Sequence, residues 1–276
     1  MTWHASLQLD YIRDDTRSLA HYRHEGPLRI LQSLYPEGDG ICHNVLVHPP
    51  GGLVGGDTLD IRLTVGPGAH GLVTTPGATR FYRSSGEVAR QWVHARIEAG
   101  ARLEWLPLEA LAYRQCRAEN KAVFELAPGA ELMGWDVTAL GLPAANQPFT
   151  EGSFAQHLEV PGVWLEQGCI AAHDARLMDG PLGLAGQRCL ATLFFVAGEA
   201  IPRDRREAAL EVVRELIDAH ALRATAGATS PHPQVLVARV LAPLVEPAME
   251  LLKRLRAAWR RQLWQLDAVP PRIWAM

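Results

Sequence analysis

The 276 residues are 48% hydrophobic, 21% charged and 7% aromatic, which supplies enough apolar surface for a large core and excludes disordered or collagen-like chains. Against 27 Lys+Arg stand 30 Asp+Glu, and the net charge of −3 lacks the basic footprint of a nucleic-acid binder. Cys42, Cys116, Cys169 and Cys189 lie far apart with no CxxC pair, neither zinc-ribbon spacing nor the density of a disulfide-stapled secreted domain. No signal-like start and no apolar run near the roughly 18 residues of a membrane span are present, so a cytoplasmic chain without a membrane partner is expected.

From residue 1 to about 200 the chain is dense in Gly and Pro, and its apolar residues alternate. Leu59, Ile61, Leu63 and Val65 are separated by Asp60, Arg62 and Thr64, the mark of a half-buried strand. Turns follow at Gly68, Gly100, Gly129 and Gly162, spaced by about thirty residues. Two readings fit that spacing: stacked strand pairs in a solenoid-like or β-helical body, or an ordinary all-β protein with regular turns. Both make residues 1–200 a mainly β body.

Beyond Ile201-Pro202 the periodicity becomes helical. Ala209, Val212, Val213, Leu216 and Ile217 predict an amphipathic helix over Arg205–His220, with Asp204 as its cap. A second helical stretch is predicted over 234–265, interrupted near Pro243 and Pro247. The tail Pro270–Trp274 is expected to be extended. Residues 201–276 thus form a helical region packed on the β body in one structural unit. Residues 251–264 carry five positive charges and no acid. Arg256, Trp259, Arg260 and Trp264 are the partner-binding candidates there, since Trp and Arg are favoured at interface hot spots; the alternative is a solvated outer face.

Signatures of catalysis are missing. His48-Pro49-Pro50-Gly51-Gly52-Leu53-Val54-Gly55-Gly56-Asp57 is glycine-rich but matches neither GxGxxG nor a P-loop, and a strand follows it where a phosphate cradle needs a helix. Gly51, Gly52, Gly55 and Gly56 point instead to a structural loop with close backbone approach. Neither GxSxG, HExxH nor a deaminase pattern occurs. The histidines are scattered, and no stable metal site is expected. Asp57, Glu104, Glu109, Asp136, Glu166 and Asp174 lie within or beside apolar β segments, where an unpaired charge is costly.

The 48–57 stretch, Thr74-Thr75-Pro76-Gly77-Ala78-Thr79-Arg80-Phe81-Tyr82-Arg83-Ser84, the 103–109 stretch, Trp135-Asp136-Val137-Thr138-Ala139-Leu140-Gly141 and Pro181-Leu182-Gly183-Leu184 occur in that order. Together they resemble the urease accessory protein UreD (UreH) family. The resemblance implies a β-rich solenoid with C-terminal helices, and a non-enzymatic chaperone acting with UreF and UreG on the urease apoprotein. Nickel(II) would pass in transit through an internal polar passage, with no cofactor stably bound. Asp57, Glu109, Asp136, Glu166 and Asp174 are the candidates for transient contact with the ion, and the C-terminal helices are expected to meet the UreF-like partner. Leu142 and Gln147 stand where many family members carry charges. Two alternatives compete: a β-rich interaction scaffold without a role in metal transfer, and an enzyme of unrecognised type pairing Asp57 or Asp136 with a histidine.

Overall fold

The alternation over residues 59–65 is realised as strand Thr58–Val65, whose Leu59, Ile61, Leu63 and Val65 point inward. In the computed structural model, which describes residues 2–275, this strand closes the first coil of a β-solenoid of about four turns. That coil contains Cys42–Val47, Gly52–Leu53 and Thr58–Val65. The next contains His70–Thr74, Thr79–Phe81 and Ala89–Ile97, and the third Arg102–Leu106, Ala110–Ala112 and Cys116–Leu126. In the fourth, the long strand Glu131–Leu142 covers the first two positions before Gly152–Val160. Equivalent strands run parallel in register, so Ile61, Val93, Ala122 and Leu158 form one inward file.

The turn glycines explain the thirty-residue period. Gly68, Gly100, Gly129 and Gly162 have φ between +68° and +76°, a region that a Cβ disfavours. Successive corners are tied by backbone hydrogen bonds, Glu98 N to Val65 O and Ala127 N to Ile97 O, each 2.9 Å. The solenoid reading therefore holds over that of unrelated turns.

Two sheets face each other across the core, one of seven strands and one of twelve. The first is extended by His4–Asp14 and Arg17–Glu25 at one end and by Trp164–Ala171 at the other. The second is extended by Arg29–Leu34 at one end and by Cys189–Ala197, Val235–Ala242 and Ala226–His232 at the other. A short helix α1 (Ala175–Asp179) precedes Cys189–Ala197, and α2 (Arg203–Asp218) and α3 (Val245–Trp264) follow it in the chain. They form a second core on the outer face of the twelve-stranded sheet, where Trp135, Leu193 and Phe195 meet Val213, Leu255 and Trp259.

Four local expectations are corrected. Residues 235–242 form a strand, as their Val235, Val237 and Val240 favour, and together with Ala226–His232 they place a hairpin within the supposedly helical region 201–276. Pro247 falls in the first turn of α3, where a missing N–H costs no helical bond, so it starts the helix. Asp204 lies in the first turn of α2, and Pro202 holds the cap position without a side-chain bond. The tail is a 3₁₀ turn at Arg272–Ala275.

Candidate functional site

The solenoid interior is not uniformly apolar. On the seven-stranded sheet, Gln91, Asn120 and Gln156 follow Leu59 in one inward file. On the facing sheet, Asp136, Thr192 and Arg239 share a register row. The coil geometry thus brings together polar residues distant in sequence, on strand faces whose neighbouring positions are mostly apolar.

Gln91, Asn120, Gln156 and Asp136, with Thr79 and Thr138, form a continuous hydrogen-bonded belt. The Thr79 hydroxyl lies 3.5 Å from Gln91 Oε1, and Gln91 Nε2 donates to Asn120 Oδ1 at 3.1 Å. Asn120 Nδ2 donates to Asp136 Oδ2 at 3.0 Å, while Gln156 Nε2 and the Thr138 hydroxyl donate to Asp136 Oδ1 at 2.6 and 3.4 Å. Glu166, ion-paired with Arg239, stands beyond at the last coil. At the other end Gln91 opens onto a cavity of about 210 Å³ that Thr75, Thr79, Arg80 and His48 also line.

Among the described residues Asp136 receives amide and hydroxyl donors but no cation. Burial, and secondarily the Glu166 charge, push its carboxyl up to about 6. Burial also raises Glu166, against the opposing pull of Arg239. Asp136 itself is half-buried. Amide, hydroxyl and carboxylate oxygens without thiolate suit weak, exchangeable contact with a hard or borderline cation. Among the described residues no group of three His, Cys, Asp or Glu side chains is arranged to hold a metal ion.

Only Asp136 and Glu166 of the five acidic candidates meet in this belt. The Asp57 carboxylate accepts the backbone N–H groups of Trp3 at 3.3 Å and Val54 at 3.0 Å, bracing the glycine loop. Asp174 caps α1 by accepting from Leu177 N at 3.0 Å. Glu109 lies on the outside, in a groove beside Cys189 and Glu246. In the loop itself, a Cβ on Gly52 would come within 2.8 Å of the Arg80 carbonyl and one on Gly55 within 2.8 Å of the Glu87 carbonyl, while Gly51 and Gly56 have φ of +75° and +92°. Leu142 and Gln147 pair with each other in a short surface hairpin, away from the belt.

The four partner-binding candidates are corrected more sharply. Arg256, Trp259, Arg260 and Trp264 are between 0 and 5% exposed and face the body. Arg256 donates twice to Glu104 Oε2, at 2.9 and 2.6 Å. Arg260 forks onto Glu37 at 3.1 and 2.5 Å and reaches Glu104 Oε1 at 3.2 Å. Trp259 Nε1 donates to the Ala209 carbonyl and Trp264 Nε1 to Glu131. His43 completes this cluster on Glu37 at 2.8 Å, and His70 on Glu104 at 3.3 Å. Burial alone would raise the Glu104 carboxyl, but Arg256, His70 and Arg260 hold it well below the usual range. These side chains weld α3 to the solenoid and present no docking surface. The charge run hid this because Glu37 and Glu104 lie far upstream in sequence.

Fold and site define a β-solenoid with a polar interior belt and helices fastened outside. The family model described as UreD urease accessory protein matches residues 4–275, and the chain belongs to that family. It is 71% identical to the urease accessory protein UreD of Paracidovorax citrulli over 276 residues, covering 100% of both chains. Identity to the urease accessory protein UreD of Polaromonas naphthalenivorans is 68% over 276 residues, again covering 100% of both. To that of Methylibium petroleiphilum it is 49% over 294 residues, covering 99% of each. Among the described residues no helix is long and apolar enough to cross a membrane.

Proposed function

We propose that this chain acts in the cytoplasm as a non-catalytic urease maturation chaperone. It binds the urease apoprotein together with UreF and UreG, and it offers nickel(II) a route along the interior belt. The observation that supports this reading is Asp136, a half-buried interior carboxylate that amides orient and that no cation among the described residues neutralises.

A route differs from a storage site in its affinity. Nickel(II) accepts imidazole, carboxylate and carbonyl-type oxygen, whereas thiolates would trap it. In the belt, Asp136 supplies the negative charge that draws a cation inward, and the Gln91, Asn120 and Gln156 amide oxygens and Thr79 and Thr138 hydroxyls supply neutral contacts on either side. Asp136 also takes a proton near pH 6, so the site can lose its charge when the ion leaves. No cofactor is stably bound.

The test is nickel per urease active site, with activity, after co-expression of the urease subunits and the other accessory proteins with this chain, without it, and with Asp136→Ala. Nickel-poor, inactive urease in the last two samples is expected. Full loading without the chain would overturn the maturation role. Full loading with Asp136→Ala alone would overturn the route while leaving the role standing.

A further inference from the structure

A groove of about 610 Å³ runs along the outer face of the twelve-stranded sheet, between the first turns of α3, the segment 141–145 and the C-terminal turn. α2 and α3 cover the outer face of this sheet elsewhere with apolar side chains. Here the sheet runs past α3, and Leu111, Ala139, Leu142, Met249 and Trp274 line the opening, with Leu244 at 40% exposure beside them.

The charges around this apolar floor are unbalanced. Arg188 is taken by Asp179 and Glu250 by Arg254, while Lys253 sits over the Trp274 ring and leaves a single cation against the two carboxylates that follow. Glu109 and Glu246 line the groove and have no side-chain partner among the described residues. Both line the groove with the buried Cys189, whose thiol burial first and these two carboxylates second push up to about 12. Glu109 is half-buried, where an unpaired carboxylate is costly to hold.

We infer that this groove docks a segment of a protein partner that presents an arginine or lysine between apolar side chains, the cation seating between Glu109 and Glu246. Two carboxylates repel an anionic metabolite or an anionic lipid surface. A guanidinium satisfies both through its planar fork, and the apolar floor takes its neighbours. The inference concerns docking and stands apart from the route for nickel.

The test places a photoreactive benzoylphenylalanine at Leu142, and separately at Leu244, in the full chain co-expressed with the urease subunits and accessory proteins. Cross-linked segments are sequenced, and nickel per active site is read in the same cells. We expect a segment with Arg or Lys beside apolar residues. Its yield should fall at least tenfold with Glu109→Lys and Glu246→Lys together, and should recover when the captured cation is replaced by Glu. Four results would overturn the proposal: yield indifferent to the charge reversal, a captured segment without a basic residue, a segment from a second copy of this chain, or no cross-link from either position while circular dichroism stays unchanged. Retained cross-linking with normal nickel loading of urease lacking this chain would sink the maturation reading alone.

Discussion

Replacing Asp136 by Asn should make the protein less sensitive to rising pH. The carboxyl titrates at about 6 in the fold against a reference value of 3.8. Because the folded state binds the proton more tightly, this group lowers stability as pH rises from 3.8 to about 6, and its effect is constant above that. With those two values the linkage relation gives a penalty of about 1.6 kcal/mol at pH 5 and about 3 kcal/mol at pH 7.5, a difference of about 1.4 kcal/mol. Asp136 is half-buried, so screening removes part of this, and we expect about 1 kcal/mol. The assay is urea unfolding of wild type and Asp136→Asn at both pH values, followed by tryptophan fluorescence. Asn has one acceptor oxygen where Asp has two, so absolute stabilities also carry the rearranged bonds to Asn120 and Gln156. The difference between the pH slopes isolates the charge. Equal slopes would refute the raised pKa and with it the picture of an uncompensated carboxylate in the belt.

Two further outcomes follow from the packing. Glu104→Ala leaves Arg256 and part of Arg260 buried without their anion, and should destabilise by about 3–5 kcal/mol in the same urea assay at pH 7; a loss below about 1 kcal/mol would show that the cluster is not the weld described. Gly52→Ala drives a methyl group into the Tyr82 ring and to 2.8 Å from the Arg80 carbonyl. It should lower the midpoint by about 1–3 kcal/mol, and an unchanged midpoint would mean the loop yields easily.

What the sequence made legible was whatever repeats locally. Leu59 to Val65 alternate because a solenoid strand has one dry face, and the glycines near residues 68, 100, 129 and 162 recur because every coil turns the same corner. Residues 235–242 resemble a helical stretch in sequence because a Val-rich buried strand has no alternation to separate it from a buried helix. The belt was only half visible. Asp136 and Glu166 stand out as acids in apolar surroundings, but Gln91, Asn120 and Gln156 are neutral, and only the phase of their strands turns them inward. A usable signal existed: Ala89, Val93, Ala95 and Ile97 set the buried phase of their strand, and Gln91 falls on it. Arg239 shares the phase of Val235, Val237 and Leu241 but is itself exposed.

Two interior carboxylates show how this fold separates structure from exchange. Glu104 faces Arg256, Arg260 and His70, and its charge is so well matched that the carboxyl is held far below its ordinary range. Removing its proton affinity makes it a fixed anion, suited to fastening a helix carrying five cations. Asp136 is half-buried and meets amides and hydroxyls, and the guanidinium of its register row, Arg239, is taken by Glu166. Neutral donors orient a carboxylate without cancelling its charge, so it remains close to exchanging its proton at neutral pH. Under the proposed route, a cation would gain most at Asp136 and little at Glu104, where two guanidiniums would repel it. On that reading the distribution of arginines favours the belt over the weld.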